Sequence, residues 1–344
     1  MESLSAANIH LGLDLLKEMR KTNDGNIFFS PVGISTAIGM LLLGTRGATA
    51  SQLQKVFYSE KDTEISRKEV EEKEIEKTEE IHHQFQQVLT EISKLTNDYE
   101  LNLANRLFGE KTFLFLQKYL DYVEKYYHAS LEPVDFINEA DESRKKINSW
   151  VESQTNGRVW VGRWSYKDFL TVFCEKNQGP LEAKIVGIPY KNNDLSMFVL
   201  LPNDIEGLEK ITDQVTPEQL IEWTRPELME VRNVNLRLPR LEVEGSYELE
   251  PVLAALGLRA AFSESDADFS GMCARSGLQA QRFLHRSFVQ VTEEGAEATA
   301  ATGIGYMVSS AGGCEQVHCD HPFLFFIRHR GSDSVLFFGR FSSP

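Results

Sequence analysis

The stretch Glu293-Glu-Gly-Ala-Glu-Ala-Thr-Ala-Ala-Thr-Gly-Ile-Gly305 stands apart from the rest of this 344-residue chain. Strand-like sequence precedes it at Phe283 to Val291 and resumes at Pro322 to Ile327. Between them, small residues replace any apolar periodicity. Connections longer than about a dozen residues inside a compact domain are usually functional or disordered. As extended backbone, the stretch would place Ala296, Ala298, Ala300 and Thr302 on one face and Glu297, Thr299 and Ala301 on the other. The first face is uniformly small and could slide between existing strands. Glu297 then requires solvent on the opposite face, and a one-residue slip in register would bury it at a cost. Two other readings stay open. Alanine favours a helix, while the threonines and Gly295, Gly303 and Gly305 oppose one and leave a free loop.

Outward from this stretch, helical spacing dominates the first half of the chain and strands the second. Leu11 to Met19 has apolar residues at helical intervals, and Asn26-Ile-Phe-Phe-Ser30 reads as a short buried strand stopped by Pro31. Gly33 to Leu43 is apolar nearly all round, which predicts a deeply buried helix. Leu101 to Leu107 alternates as a strand. Leu116 to Tyr127 and Asp141 to Val151 return to helical spacing, the latter with Ile147, Trp150 and Val151 on one side. Further strands are expected at Ala183 to Pro189, Ser196 to Leu201, Asn233 to Leu238 and Val335 to Phe341, with helices at Thr216 to Thr224 and Glu248 to Leu256. Residues 59–80, dense in Glu and Lys, predict a charged surface loop or a frayed helix. Without repeats or a flexible linker, 1–344 reads as a single α+β domain built on large mixed sheets.

The totals bound the function. Hydrophobic residues at 42% and charged residues at 25% suit a globular chain with a sizeable core. A net charge of -15 disfavours nucleic acid and anionic membrane, since both would repel this surface. The N-terminal residues show no signal-peptide pattern. Cys174, Cys273, Cys314 and Cys319 are the four cysteines, and Asn-x-Ser/Thr is absent. A cytoplasmic, reducing setting is therefore expected. Cys314, His318, Cys319 and His321 hold four soft ligands within eight residues, but their spacing fits no common structural zinc pattern. No metal, cofactor or nucleophile elbow is expected, nor an enzyme.

The acid-acid-glycine start and small-residue run from Glu293 resemble the hinge of the serpins. Other blocks resemble the same family in the same order. They are Asn26-Ile-Phe-Phe-Ser-Pro, Gly44-Thr-Arg-Gly-Ala-Thr, Leu238-Pro-Arg-Leu, Asp268-Phe-Ser-Gly-Met, His321-Pro-Phe-Leu-Phe-Phe-Ile-Arg and Phe338-Gly-Arg-Phe-Ser-Ser-Pro. The likeness is to the intracellular, ovalbumin-like clade. It implies the serpin fold: large mixed β-sheets, surrounding helices and an exposed reactive-centre loop, here 293–315. It implies a monomeric protease inhibitor whose partners are target proteases, trapped as a covalent acyl complex when the cut loop inserts into a sheet. Release to the extracellular space is compatible with that clade.

The resemblance also assigns residues. The hinge comprises Glu293, Glu294, Gly295, Ala296, Glu297, Ala298, Thr299, Ala300, Ala301 and Thr302. Counting from Glu293 places the reactive bond at Ser309–Ser310, with Val308 and Met307 setting specificity and neighbouring bonds left open. A small polar Ser309 suits neither a trypsin-like nor a chymotrypsin-like pocket. Papain-like cysteine proteases select through an apolar residue one position earlier, which Val308 supplies; a serine protease is the alternative. His285, with Ser30 and Asn148, matches a buried cluster beneath the opening sheet.

One segment departs from the family pattern. After Thr155, residues 157–180 lack the Asn-x-x-Tyr-Phe-Lys-Gly-x-Trp block that forms the central strand beside the insertion site. The central strand region is therefore expected to be missing or replaced. Trp160 to Phe173 is apolar enough to pair as a substitute, though its pattern differs. Unpaired backbone groups in a buried sheet cost about 1–3 kcal/mol each. The alternative function is accordingly a non-inhibitory or inactive serpin-like protein.

Overall fold

The computed structural model describes residues 4–57, 67–94, 105–155, 171–176, 182–189, 194–232, 234–239, 241–291 and 315–343. Helix α1 (Leu4–Met19) leads to strand β1 (Ile27–Phe29), then to α2 (Pro31–Gly44), α3 (Gly47–Gln54) and α4 (Arg67–Ile92). There follow β2 (Arg106–Glu110), α5 (Gln117–Tyr127), β3 (Ser130–Val134), α6 (Ala140–Thr155) and β4 (Thr171–Lys176). Next come β5 (Ala183–Pro189), β6 (Leu195–Pro202), α7 (Leu208–Gln214), α8 (Pro217–Trp223), β7 (Glu230–Arg232), β8 (Val234–Arg237) and β9 (Leu241–Glu248). The chain closes with α9 (Glu250–Ala255), β10 (Leu284–Val291), β11 (Glu315–His318), β12 (Phe323–His329) and β13 (Ser334–Phe341).

A seven-stranded sheet in the order β1-β13-β12-β6-β5-β4-β7 forms the centre. Its strands read as nearly unbroken apolar runs because protein covers both faces. Alternation sorts the phenylalanines. Phe28 stacks on Phe325 and Phe337, with centroids 5.8 and 5.2 Å away, on one face. On the other, Phe29 stacks on Phe338 at 6.1 Å, and Phe326 lies between Phe338 and Phe198 at 5.8 and 5.2 Å. Helices α1 and α2 pack against β13. The predicted all-round burial of α2 holds for most of its positions.

Three smaller two-stranded units complete the sheets: antiparallel β9–β10, parallel β8–β11 and parallel β2–β3. Helix α6 lies on β2 through Trp150, whose ring meets Phe108 at 5.8 Å and the Arg106 guanidinium at 5.0 Å. The same helix approaches β10.

Several expectations change. Of the two readings of 59–80, the charged surface loop gives way to the helical one from Arg67 onward, where the chain is part of α4. Its apolar anchors, Ile81, Phe85 and Leu89, lie beyond the charged run and are buried. Residues 59–66, Leu101 to Ala104 and Asn233 lie outside the described residues, so the strand expected at 101–107 is seen as Arg106–Glu110. In the atypical segment, 157–170 and 177–180 also lie outside them. Thr171–Lys176 is a strand, but it pairs with β5 and β7 in the seven-stranded sheet rather than with β2 or β10.

Phe28 touches two aromatic neighbours with no exposed surface. Truncation by Phe28→Ala is expected to cost about 3–5 kcal/mol, read as a lower denaturant midpoint at unchanged slope.

Candidate functional site: the strands that carry the loop

β1 is an edge strand. Ile27 and Phe29 face β13 in its hydrogen-bond ladder, so the backbone groups of Phe28 and Ser30 point away from the sheet. Side chains of the β9–β10 ribbon satisfy them. The Phe28 N–H donates to the Tyr247 hydroxyl at 3.0 Å, and the Ser287 hydroxyl donates to the Phe28 carbonyl at 2.7 Å. The Ser30 N–H donates to His285 Nε2 at 3.0 Å. The side chain of Ser30 does different work: its Oγ accepts the Gly33 N–H at 3.0 Å and caps α2, with Pro31 at the first helical position.

Close approach makes this possible. Gly245 stands opposite Ser287 in the ribbon, and a Cβ there would lie 1.9 Å from the Phe28 carbonyl oxygen. Burial pushes the Tyr247 hydroxyl up, so it stays protonated. Burial also pushes the His285 imidazole down to about 4. The ring is therefore neutral near pH 7, with Nε2 free to accept from Ser30 and the proton on Nδ1.

Ser30 and His285 thus meet as expected. Asn148 does not join them: it is exposed on α6. The helix turns its Trp150 side to β2, and Asn148, two positions earlier, points elsewhere. Gly245, Tyr247 and Ser287 were not singled out from sequence. The strict alternation of Leu241–Glu248 and a glycine within it signalled a strand with a close backbone approach.

β10 runs up to Val291 and β11 starts at Glu315, so the two strands bracket the loop. Hinge residues Glu293, Glu294, Gly295, Ala296, Glu297, Ala298, Thr299, Ala300, Ala301 and Thr302 lie outside the described residues. So do Met307, Val308, Ser309, Ser310 and Cys314. Among the described residues, β10 pairs with β9 alone and β2 with β3 alone. Cys319 is buried, and its thiol is pushed up to about 12.

A family model described as "Serpin (serine protease inhibitor)" matches residues 6–160 and 171–344. The chain belongs to the serpin family. The stretch between the two matched pieces, 161–170, is shorter than the departure expected at 157–180. Human Serpin B13 is 62% identical over 395 residues with all of both chains covered, against the 344 residues here, so part of that relative has no counterpart in this serpin. Human leukocyte elastase inhibitor is 39% identical, again across all of both chains. The crystal structure of uncleaved ovalbumin superposes with a TM-score of 0.81 at 29% identity, covering 99% of this chain and 100% of that one. The serpin fold and the ovalbumin-like clade expected from sequence are thereby established.

Two outcomes test the pinning of β1. Gly245→Ala should destabilise by about 1–3 kcal/mol or more through overpacking against Phe28, seen in thermal or denaturant unfolding. For pH, the His285 value is depressed on folding from 6.5 to about 4, so the unfolded chain binds the extra proton first. Stability is then full above about pH 6.5 and falls as pH drops toward 4, at up to ~1.4 kcal/mol per unit. His285→Gln should flatten part of that fall. A residual slope is expected from His82, which burial pushes down to about 3.

Proposed function

We propose that this serpin engages proteases through its 293–315 loop as an inhibitor of the trapping type. The bait bond is Ser309–Ser310, and papain-like cysteine cathepsins are the targets. The observation that carries this reading is the edge of β10. It feeds directly into the hinge and, among the described residues, has no strand on the side away from β9. The small residues Ala296, Ala298, Ala300 and Thr302 suit insertion along such an edge. Val308, one position before Ser309, supplies the apolar residue that papain-like enzymes select. A serine protease is the alternative target, which the name of the related leukocyte elastase inhibitor favours for that relative. The protein acts as a monomer, made in the cytoplasm and open to release outside the cell.

A second reading rests on the divided second sheet. The pairs β2–β3 and β9–β10 have no described strand joining them. A loop strand inserting there gains pairing with β10 but, among the described residues, finds no partner strand of the kind the family pattern supplies on its other side. Insertion is then less favourable, and the acyl-enzyme has longer to hydrolyse. The protein would be cut as a substrate without trapping.

Incubation with a panel of cysteine cathepsins and serine proteases, followed by a denaturing gel, separates the two. A covalent species larger than either protein supports trapping. A clipped chain alone supports the substrate reading, and no cleavage near Ser309 refutes both. If trapping occurs, Ala298→Arg or Ala300→Arg should divert it to cleavage, since a long charged side chain on the inserting face slows insertion.

A further inference from the structure

The chain passes from β11 into β12 through Cys319-Asp-His-Pro322, where the C-terminal end of the loop is tied down. β11 is held through four residues of parallel pairing with β8. The Cys319 N–H extends that pairing to the Arg237 carbonyl at 2.8 Å. At the next corner the His321 ring, 11% exposed, stands between two oxygens. Its Nε2 lies 2.7 Å from the carbonyl of Pro202, the last residue of β6, and its Nδ1 lies 2.8 Å from Asp320 Oδ1.

A carbonyl only accepts, so Nε2 must carry a proton. The hydrogen bond to His321 holds the Asp320 carboxyl below its usual range, so that group is ionised and also only accepts. A neutral imidazole has one N–H to offer. Keeping both contacts therefore requires the imidazolium.

We propose that His321 is a proton-operated latch at this corner. Charged, it pins the β11–β12 connection, and with it the C-terminal end of the loop, to the end of β6. Neutral, it keeps its one N–H for the Asp320 carboxylate, the stronger acceptor, so the bond to the Pro202 carbonyl is lost and the connection loosens.

Charged groups lie on each of the surrounding elements. On β11, His318 lies two residues before Asp320, and Glu315 pairs with Lys184 of β5 at 2.8 Å. Arg237 closes β8, Glu182 precedes β5 with its carbonyl accepting the Asn203 N–H at 3.0 Å, and Asp204 follows β6. Among the described residues, Asp320 is the one hydrogen-bonded to the ring.

Asp320→Asn gives a discriminating test. The side chain is 76% exposed, so the change is expected to be tolerated. An asparagine can turn its NH2 toward a neutral Nδ1 while Nε2–H still donates to Pro202. The variant should keep the corner closed whatever the ring's charge. The full-length protein, labelled with 15N-histidine, is followed by ring 15N shifts and amide exchange across the imidazole titration range.

The expected result for the parent is N–H at both ring nitrogens on the acid side. As the ring loses a proton, exchange protection at Val317 and Cys319, corrected for intrinsic rates, should fall by about tenfold. In Asp320→Asn that step should vanish with protection retained. A single ring N–H throughout in the parent would overturn the proposal. Protection in the parent that ignores the titration would do the same, as would a step that survives in the variant. The latch is read without any protease, so its failure is distinct from failure of trapping; only its consequence for bait presentation rests on the inhibitory reading.

Discussion

Phe28 and Ser30 turn backbone hydrogen-bonding groups away from the seven-stranded sheet, and side chains rather than a neighbouring strand satisfy them. Left unpaired, each such group would cost about 1–3 kcal/mol. Tyr247, Ser287 and His285 therefore do more than dock a ribbon on a sheet. Ser30 also caps α2, so the same few residues fix the edge of the main sheet, the start of a buried helix and the position of β10. β10 is the strand that leads into the loop. Any movement that slides β10 past β1 must break these polar contacts together, which gives the ribbon a defined seat instead of a continuum of positions. Gly245 sets how close that seat can be.

The other side of β10 presents the opposite situation. Among the described residues the two short sheets, β2–β3 and β9–β10, have no strand joining them, where the family pattern supplies a central strand. The described part of the replacement segment, Thr171–Lys176, is committed elsewhere by its pairing with β5 and β7. Helix α6 contacts both halves, through Trp150 on β2 and by its approach to β10. Under the proposed trapping function, loop chemistry and sheet continuity are separate requirements: the first belongs to the 293–315 sequence, the second to the strands on either side of the insertion site.

Much of this was legible in the sequence, and the failures have physical causes. Phe323 to Ile327, Ser196 to Leu201 and Ala183 to Pro189 read as strands because burial on both faces leaves unbroken apolar runs. Helix α2 read correctly because it is apolar all round. For residues 59–80 a charged loop and a frayed helix both stayed open, since their own composition supplies no core; from Arg67 the chain is helical, anchored from its far end by Ile81, Phe85 and Leu89. Asn148 was grouped with Ser30 and His285 on the strength of resemblance, but helical geometry places it on an exposed side of α6. The polar seating of β1 was invisible because it joins residues more than two hundred positions apart through backbone groups, which carry no side-chain signature.

The two ends of the loop are anchored unequally. The N-terminal end grows from an eight-residue antiparallel strand with three polar contacts from its ribbon to β1. The C-terminal end leaves from a four-residue parallel strand, a pairing with fewer and more slanted bonds. At this shorter anchor the Cys319 N–H carries the pairing on to Arg237, and the His321 ring reaches the end of β6. One contact there, the proposed latch, depends on a charged imidazole, whereas one contact under β10 depends on a histidine kept neutral by burial. The two anchors thus ask opposite protonation states of their histidines: the proposed latch needs a charged His321, and the seat needs a neutral His285.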